Sequence, residues 1–333
     1  MNEKDSGAIV NPDKEDDDGA NPTLNRLAQA LERHIHPNDK LGHYDALLGV
    51  IGPPVGYPRM SGGYKLWPER VSNPALSVRL MSIGNSTGLW PGANWSQLVA
   101  EALTAEGYRL TLYHGAGKGS TSSQDVLRVL RDAPAIKPAL IFSLSGITDI
   151  GYLLLAKNNP FSHKYTRRAM DFLKDSGMVS DVAFGLPHRQ SPAASWCQNQ
   201  RMMRVMADEI GARIVTFLQP VQGFGAYDMT EAETAFLAAK SKVILQAMGK
   251  PYGECVTEFY EEVKAIMAAA PLKYDHIIDF TDVFADCPGA YRDHRHQNEK
   301  GVAHLAARML PVLRGHLEQI GAPVAPRPKT RLT

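Results

Sequence analysis

One stretch, VRLMSIGNSTG over residues 78–88, constrains the fold more than any other part of the chain. Its apolar run is broken at once by glycines and small polar residues, which is typical of a buried strand that ends in a tight turn. A helical pattern resumes near Asn94, so the order is strand, turn, helix. Ligands in an open α/β sheet bind beyond the carboxyl ends of the strands. Ser86 is therefore predicted to lie at a ligand site, and an ordinary Gly/Ser turn is the alternative that this stretch alone leaves open.

Two further predicted strands are followed by loops of small residues. Strand 108–113 precedes HGAGKGSTS at 114–122, and strand 139–144 precedes SGITD at 145–149. The alternation predicts an α/β fold with a doubly wound, mostly parallel sheet flanked by helices, and the loops that follow the strands would lie along one edge of that sheet. The loop at 114–122 is not a P-loop, because Gly119 follows Lys118 where that motif requires Ser or Thr.

The rest of the chain continues this alternation. Helices are predicted at 95–105, 123–131, 196–210, 230–248, 254–269 and 301–319, and strands at 213–218 and 276–280. Thr230 followed by Glu233 has the pattern of a capping box at a helix start. Pro311 predicts a kink in the last helix.

Four parts are predicted along the chain. Residues 1–22 are acidic and poor in apolar side chains, so a disordered tail is expected there. An N-terminal amphipathic helix at 23–35 and a long irregular arm rich in Gly, Pro and aromatic residues make up 23–75. The main α/β domain is expected over 76–319, and a flexible tail over 320–333.

Composition and charge narrow the classes of function that the chain can have. The chain has 333 residues, 44% of them hydrophobic, and a formal net charge of +1, which argues against a nucleic-acid surface. The start has no secretory pattern and no apolar run reaches about 18 residues, so no membrane span and a cytoplasmic location are expected. The three cysteines and the group His34, His36 and His43 follow no metal-ligand spacing. Neither a metal nor a cofactor is predicted.

A second polar stretch, YRDHRHQNEKG at 291–301, precedes the last helix. Asp293 and His296 are three residues apart, a spacing that lets the carboxylate hold one imidazole nitrogen while the other faces outward. A weak alcohol nucleophile needs such an oriented base. The Asp-x-x-His spacing selects His296 rather than His294 as the base, and a metal site from these two histidines and an unremarkable polar loop are the alternatives.

Taken together, four blocks resemble those of the SGNH hydrolases, also called the GDSL esterase/lipase family. They are Gly84-Asn85-Ser86, Gly119, Gly146-Ile147-Thr148-Asp149 and Asp293 to His296, in that order within about residues 76–315. Asn85 stands where the family commonly has Asp, and Thr148 stands where it has Asn. Phe217-Leu218-Gln219-Pro220 and the arm before the first strand also look like bacterial members linked to surface polysaccharides.

The resemblance implies a three-layer α/β/α fold and a set of roles. Ser86 would be the nucleophile, His296 the general base and Asp293 the group that orients it. The oxyanion hole would use the backbone N–H groups of Ser86 and Gly119 and the side chain of Thr148. Further substrate contacts are predicted at four positions: Asn85, Asp149, Gln219 and Tyr227.

The activity implied is that of a serine esterase that removes O-acyl groups, such as acetyl, from a small molecule or a carbohydrate. Two alternatives stay open. One is an acyltransferase that uses the same three residues, and the other is a catalytically weak, carbohydrate-binding relative.

Overall fold

The protein is described by a computed structural model that covers residues 64–68, 77–89, 94–151 and 190–324, with the strand backbone at 43–45, 49–51 and 60–61. The strands are β1 His43–Asp45, β2 Gly49–Ile51, β3 Met60–Ser61, β4 Tyr64–Trp67, β5 Val78–Gly84, β6 Leu110–His114, β7 Leu140–Ser145, β8 Arg213–Leu218 and β9 Ile277–Asp279. The helices are α1 Trp95–Ala105, α2 Ser122–Ile136, α3 Pro192–Glu209, α4 Glu231–Met248, α5 Tyr252–Ala269 and α6 Glu299–Gln319.

Seven of these strands form one sheet in the order β3-β4-β6-β5-β7-β8-β9. The five strands from β6 to β9 in that order run parallel, and β3 and β4 add an antiparallel edge. The prediction of a mostly parallel α/β sheet is confirmed. The chain passes from β5 to β6 on one side and then crosses to β7 on the other, so the strand order reverses at the carboxyl end of β5. This is the point at which open α/β sheets bind ligands, and Ser86 follows it directly.

The sheet is covered on both faces because its central strands are apolar on both sides. In β5, Leu80 faces a core cluster that includes Trp95 of α1 and Leu305 of α6. The next residue, Met81, faces the opposite way into a cluster with Val126 of α2 and residues of α3. Successive side chains of a strand point to opposite faces, so the alternation in β5 sets the three layers.

The arm that was predicted to be irregular contributes to the sheet. β4 pairs with β6 in antiparallel register, with Lys65 opposite His114. The hydroxyl of Tyr64 donates to Asp132 at 2.8 Å, and the guanidinium of Arg128 lies 5.1 Å from the centre of its ring. The prediction missed β4 because a four-residue strand at a sheet edge leaves no clean period in the sequence.

Several helix boundaries also differ from those predicted. α2 continues past 131 to Ile136 with Pro134 inside it, α3 begins at Pro192 behind a Ser191 cap, and α6 runs through Pro311. The predicted tail at 1–22, the helix at 23–35, most of the insertion at 152–195 and the end of the chain beyond 324 lie outside the described residues. Among the helices that are described, none combines the length and the apolar character needed to cross a membrane.

Candidate active site

A short 3-10 turn at Ser86–Gly88 carries the predicted nucleophile immediately after β5. Asn85 begins the turn, and its Oδ1 accepts hydrogen bonds from the backbone N–H of Thr87 at 3.0 Å and from its hydroxyl at 2.9 Å. Gly84 has a φ of +141°, and a Cβ there would lie 2.7 Å from the carbonyl oxygen of Leu144. Glycine is therefore required at this position. Asn85 is buried and Ser86 is half-buried, which leaves the serine hydroxyl facing the site.

A buried histidine holds the other end of this turn. The ring Nε2 of His114 lies 2.8 Å from the carbonyl oxygen of Gly88, and its Nδ1 lies 2.7 Å from the hydroxyl of Ser82 and 2.8 Å from that of Ser96. A carbonyl can only accept, so Nε2 carries the proton and Nδ1 accepts from Ser82, because the hydroxyl of Ser96 donates its hydrogen to Oδ1 of Asn94 at 2.7 Å. Burial lowers the pKa of His114 from 6.5 to about 4, which keeps this ring neutral near pH 7.

The structure brings Ser86, His296 and Asp293 together in one row. Nε2 of His296 lies 2.8 Å from Oγ of Ser86, and its Nδ1 lies 2.8 Å from Oδ2 and 3.0 Å from Oδ1 of Asp293. The carboxylate also accepts from the backbone N–H groups of Arg295 and His296. Partial burial opposes the charge on Asp293, but these bonds outweigh it and hold its pKa well below its ordinary value. An ionised Asp293 keeps the proton of His296 on Nδ1, so Nε2 is free to accept the proton of Ser86.

Hydrogen bonds connect the loop that carries Asp293 and His296 to the start of α4. The carboxylate of Glu233 accepts from the hydroxyl of Tyr227 at 2.5 Å and from the backbone N–H of Tyr291 at 3.0 Å. The Tyr227 hydroxyl in turn accepts from the N–H of Ala290 at 3.1 Å. Glu233 also completes the predicted capping box with Thr230, which is confirmed. Its burial opposes the charge, but the bonds from Tyr227, Thr230 and Tyr291 lower its pKa overall.

The residues predicted for the oxyanion hole belong to loops next to the Ser86 turn. The loop that contains Gly119 is tied to β5 by the N–H of Gly117, which donates to the carbonyl oxygen of Gly84 at 2.8 Å, and Gly119 has a φ of +71°. Oγ1 of Thr148 lies 3.4 Å from Nδ2 of Asn85, the residue before the nucleophile. Its hydroxyl hydrogen is therefore free to point elsewhere.

The four predicted substrate contacts are buried or engaged in the protein. Asn85 shapes the turn, and its Nδ2 donates at 2.7 Å to Oε1 of Gln219, which is fully buried. Tyr227 uses its hydroxyl between Glu233 and the backbone of Ala290, as above. A contact of any of these side chains with a substrate stays a prediction.

The side chain of Asp149, the fourth of these residues, is also hydrogen-bonded within the protein. It has no exposed surface, and it accepts from the backbone N–H of Ser122 at the start of α2 and from the Ser122 hydroxyl at 2.5 Å. Burial raises its pKa to about 7 despite these bonds. Close by, burial and the neighbouring charge of Asp149 raise the pKa of Asp125 to about 8. The sequence carried no signal for the contact between Ser122 and Asp149, because Ser122 lies 27 positions before Asp149.

His294 lies apart from the row of three. Its ring packs edge-on against Tyr252, with 5.7 Å between ring centres, and its Nδ1 is 3.8 Å from Asp293, beyond hydrogen-bond distance. Burial first, and then the charge of Arg295, lower its pKa to about 3. Across the described ranges, no three His, Cys, Asp or Glu side chains are grouped so that they could hold a metal ion.

The fold resembles that of several solved bacterial proteins at low sequence identity. A lipase/acylhydrolase from Enterococcus faecalis is 15% identical, with a TM-score of 0.43 over 72% of this chain and 96% of the other. An acetylxylan esterase from Geobacillus stearothermophilus, solved as a catalytic mutant, is 16% identical, with a TM-score of 0.41 over 75% and 97%. A GDSL-like lipase from Bacteroides thetaiotaomicron is 13% identical, with a TM-score of 0.42 over 73% and 88%.

No protein-family model matches the chain, and no curated protein matches it in sequence. What the chain does must therefore follow from its own side chains. The hydroxyl of Ser86 is hydrogen-bonded to an imidazole, and that imidazole is hydrogen-bonded to an ionised carboxylate. Such an arrangement activates an alcohol for attack on an acyl carbon.

Proposed function

We propose that the protein is a serine esterase that hydrolyses O-acyl esters. The observation that carries this proposal is the row in which Nε2 of His296 lies 2.8 Å from Oγ of Ser86 while its Nδ1 lies 2.8 Å from Asp293. These distances put the nucleophile, its base and the group that orients the base within direct hydrogen-bond reach. The row stands at the reversal of strand order, where a substrate can approach.

Each residue then has one task. As Oγ of Ser86 attacks the carbonyl carbon of the ester, Nε2 of His296 takes its proton. Asp293 stabilises the imidazolium that forms and remains ionised. The negative charge on the former carbonyl oxygen is met by the N–H groups of Ser86 and Gly119 and by the hydroxyl of Thr148. His296 then gives its proton to the departing alcohol, which leaves an acyl group on Ser86, and water activated by the same imidazole releases the acid.

A short acyl group such as acetyl, carried by a carbohydrate or another polar alcohol, fits the surroundings of the site. Asp293 and His296 are only partly buried, with 41% and 18% of their side chains exposed. Their immediate neighbours in the loop are His294 and Arg295, which are polar and half-buried. A long acyl chain would need an apolar wall at this point, whereas a polar alcohol is compatible with the groups found here.

The test is turnover of p-nitrophenyl acetate by the full chain and by Ser86→Ala. The variant should lose turnover while it keeps the same unfolding midpoint, since Ser86 lies on a turn and its hydroxyl adds little packing. Ser195→Ala, on α3, is the matched control and should keep full turnover. A fluorophosphonate probe should label the native chain at Ser86, as mapped by peptide mass. Normal turnover by Ser86→Ala, or labelling at another residue, would contradict the proposal.

Adding a sugar acceptor to the same assay separates hydrolysis from acyl transfer. Both routes form the same acyl group on Ser86, so the product distinguishes them. Free acetate at an unchanged rate supports the esterase, whereas an acetylated sugar formed at the expense of acetate indicates a transferase. Binding of sugar with no turnover of any ester would indicate a binding protein.

A further inference from the structure

Two cationic side chains, Arg295 and Lys240, have no ion-pair partner among the described residues. Arg295 directly precedes His296 in the loop, and its side chain is half-buried. Its Nε is buried and has no hydrogen-bond partner among the described residues. Lys240, on α4, is also half-buried; burial first, and then the charge of Arg295, lower its pKa.

Two other cations among the described residues have acidic partners. Arg204 pairs with Asp208 and Asp275, and Arg314 pairs with Glu106, so these charges are compensated within the chain. Neither Lys240 nor Arg295 forms an ion pair with any described residue. Like charges that are partly withdrawn from water without a counter-charge are unfavourable.

The carboxylate of Asp293 does not compensate the charges of Arg295 and Lys240. Asp293 attracts Lys240, but its oxygens already accept from the ring of His296 and from two backbone N–H groups. His294 adds to the imbalance, since its buried Nε2 has no hydrogen-bond partner among the described residues, and burial first, then the charges of Arg295 and Lys240, lower its pKa. Arg295, Lys240 and His294 are therefore influenced by one carboxylate, that of Asp293, whose oxygens already accept other hydrogen bonds.

We propose that Arg295 and Lys240 form a subsite for an anionic group on the substrate, next to the ester that Ser86 attacks. The inference rests on the proposed esterase function and names its substrate class: esters that also carry a carboxylate, phosphate or sulfate. Arg295 directly precedes His296, whose ring contacts Ser86, and the Cα atoms of the two residues are about 3.8 Å apart. An Arg guanidinium offers paired N–H donors to a planar carboxylate or to phosphate oxygens.

The kinetic test uses a matched pair of phenyl acetates, 4-acetoxybenzoate and its uncharged methyl ester. The native chain should show a kcat/KM about tenfold higher for the anionic ester at low salt, an effect that 0.5 M NaCl should largely remove because salt screens charge attraction. Arg295→Gln and Lys240→Gln should each lower this preference, mainly by raising KM for the anionic ester. Lys242→Gln, an exposed lysine on the same helix, is the control and should leave the preference unchanged. An equal kcat/KM for the two esters at low salt, or a preference that survives both substitutions, would overturn the subsite.

A binding measurement keeps this inference separate from the esterase proposal. Ser86→Ala is titrated in a calorimeter with trigalacturonate, with xylotriose and with glucose 6-phosphate, which compare a carboxylate, no charge and a phosphate. Binding of an anionic sugar at least about tenfold tighter than xylotriose, lost in Lys240→Gln, supports the subsite even if no ester is turned over. Equal binding of all three overturns it even if esterase activity is found.

Discussion

His114 should make the protein less stable in acid, and the effect can be isolated. The ring is buried, and its pKa lies at about 4 instead of 6.5, because burial disfavours the charged form. Below pH 6.5 the unfolded chain therefore binds a proton that the folded chain refuses. This contribution to stability is complete above pH 6.5 and is lost as the pH falls towards 4. At about 1.4 kcal/mol per pH unit, the full effect is about 3 kcal/mol.

The substitution His114→Gln removes the titrating ring. At pH 7.5 the variant should be less stable than the native chain by about 2–4 kcal/mol, because it loses the ring's packing against Trp95 and its hydrogen bonds to Gly88 and Ser82. Since the native chain weakens in acid through this ring and the variant does not, the difference in unfolding free energy should shrink by about 3 kcal/mol between pH 7.5 and pH 4.

The assay is urea unfolding followed by tryptophan fluorescence at several pH values between 4 and 7.5. Taking the difference between the two chains cancels the titration of other buried groups, including Asp125 and Asp149, whose raised pKa values act with the opposite sign. Val129→Ala, a buried core substitution on α2 with no titrating group, is the control and should show a constant difference. A difference for His114→Gln that is also constant with pH would refute the reasoning.

Three further predictions follow from the site. Thr148→Val should lower kcat on p-nitrophenyl acetate about tenfold with little change in KM, because the lost hydroxyl acts on charge that is present only in the transition state; an unchanged kcat would place the third oxyanion donor elsewhere. Glu233→Gln should lower the unfolding free energy by about 1–3 kcal/mol, because an amide cannot accept all four hydrogen bonds that the carboxylate accepts. The displaced backbone of Tyr291 should also lower kcat more than it alters KM. Equal stability of the variant and the native chain in urea would argue against this. Asp125→Asn should gain stability relative to the native chain as the pH rises from 5 to 8, because the raised pKa of Asp125 makes its ionisation in the folded state unfavourable; a difference that does not change with pH would count against it.

The parallel core of the sheet could be predicted because its strands are continuous apolar runs that end in glycine-rich turns. β5 and β7 were placed correctly to within a residue or two, since an apolar run and a following Gly/Ser turn are both local signals. The sequence also predicts that His296 approaches Ser86, 210 positions away in the chain, and the two side chains are in contact in the structure. Asp293 and His296 are close in the chain, and the loops that carry Ser86 and His296 lie at the same edge of the sheet.

What the sequence could not reveal depends on contacts between distant residues. The Thr230 and Glu233 pair indicated a capping box, but nothing nearby indicated that the same carboxylate also holds Tyr291. Asp149 follows a strand end as a substrate-binding residue would, but nothing near it in the sequence indicated its hydrogen bonds to Ser122, at the start of α2. His114 is the last residue of β6, but in the sequence it begins a glycine-rich stretch, so no helical or strand period indicates that it is buried.

The antiparallel edge has a consequence for where the chain can be shortened. Removing everything before residue 76, the boundary that the sequence suggested, would strip β4 from β6 and leave the backbone groups of Leu112, Tyr113 and His114 without their neighbours. An uncovered strand of this kind recruits other chains and favours aggregation. It would also loosen His114, whose ring fixes the far end of the Ser86 turn. A shortened chain that keeps the whole parallel sheet but starts at 76 should therefore aggregate and lose its nucleophile's support, whereas one that retains β4 should not.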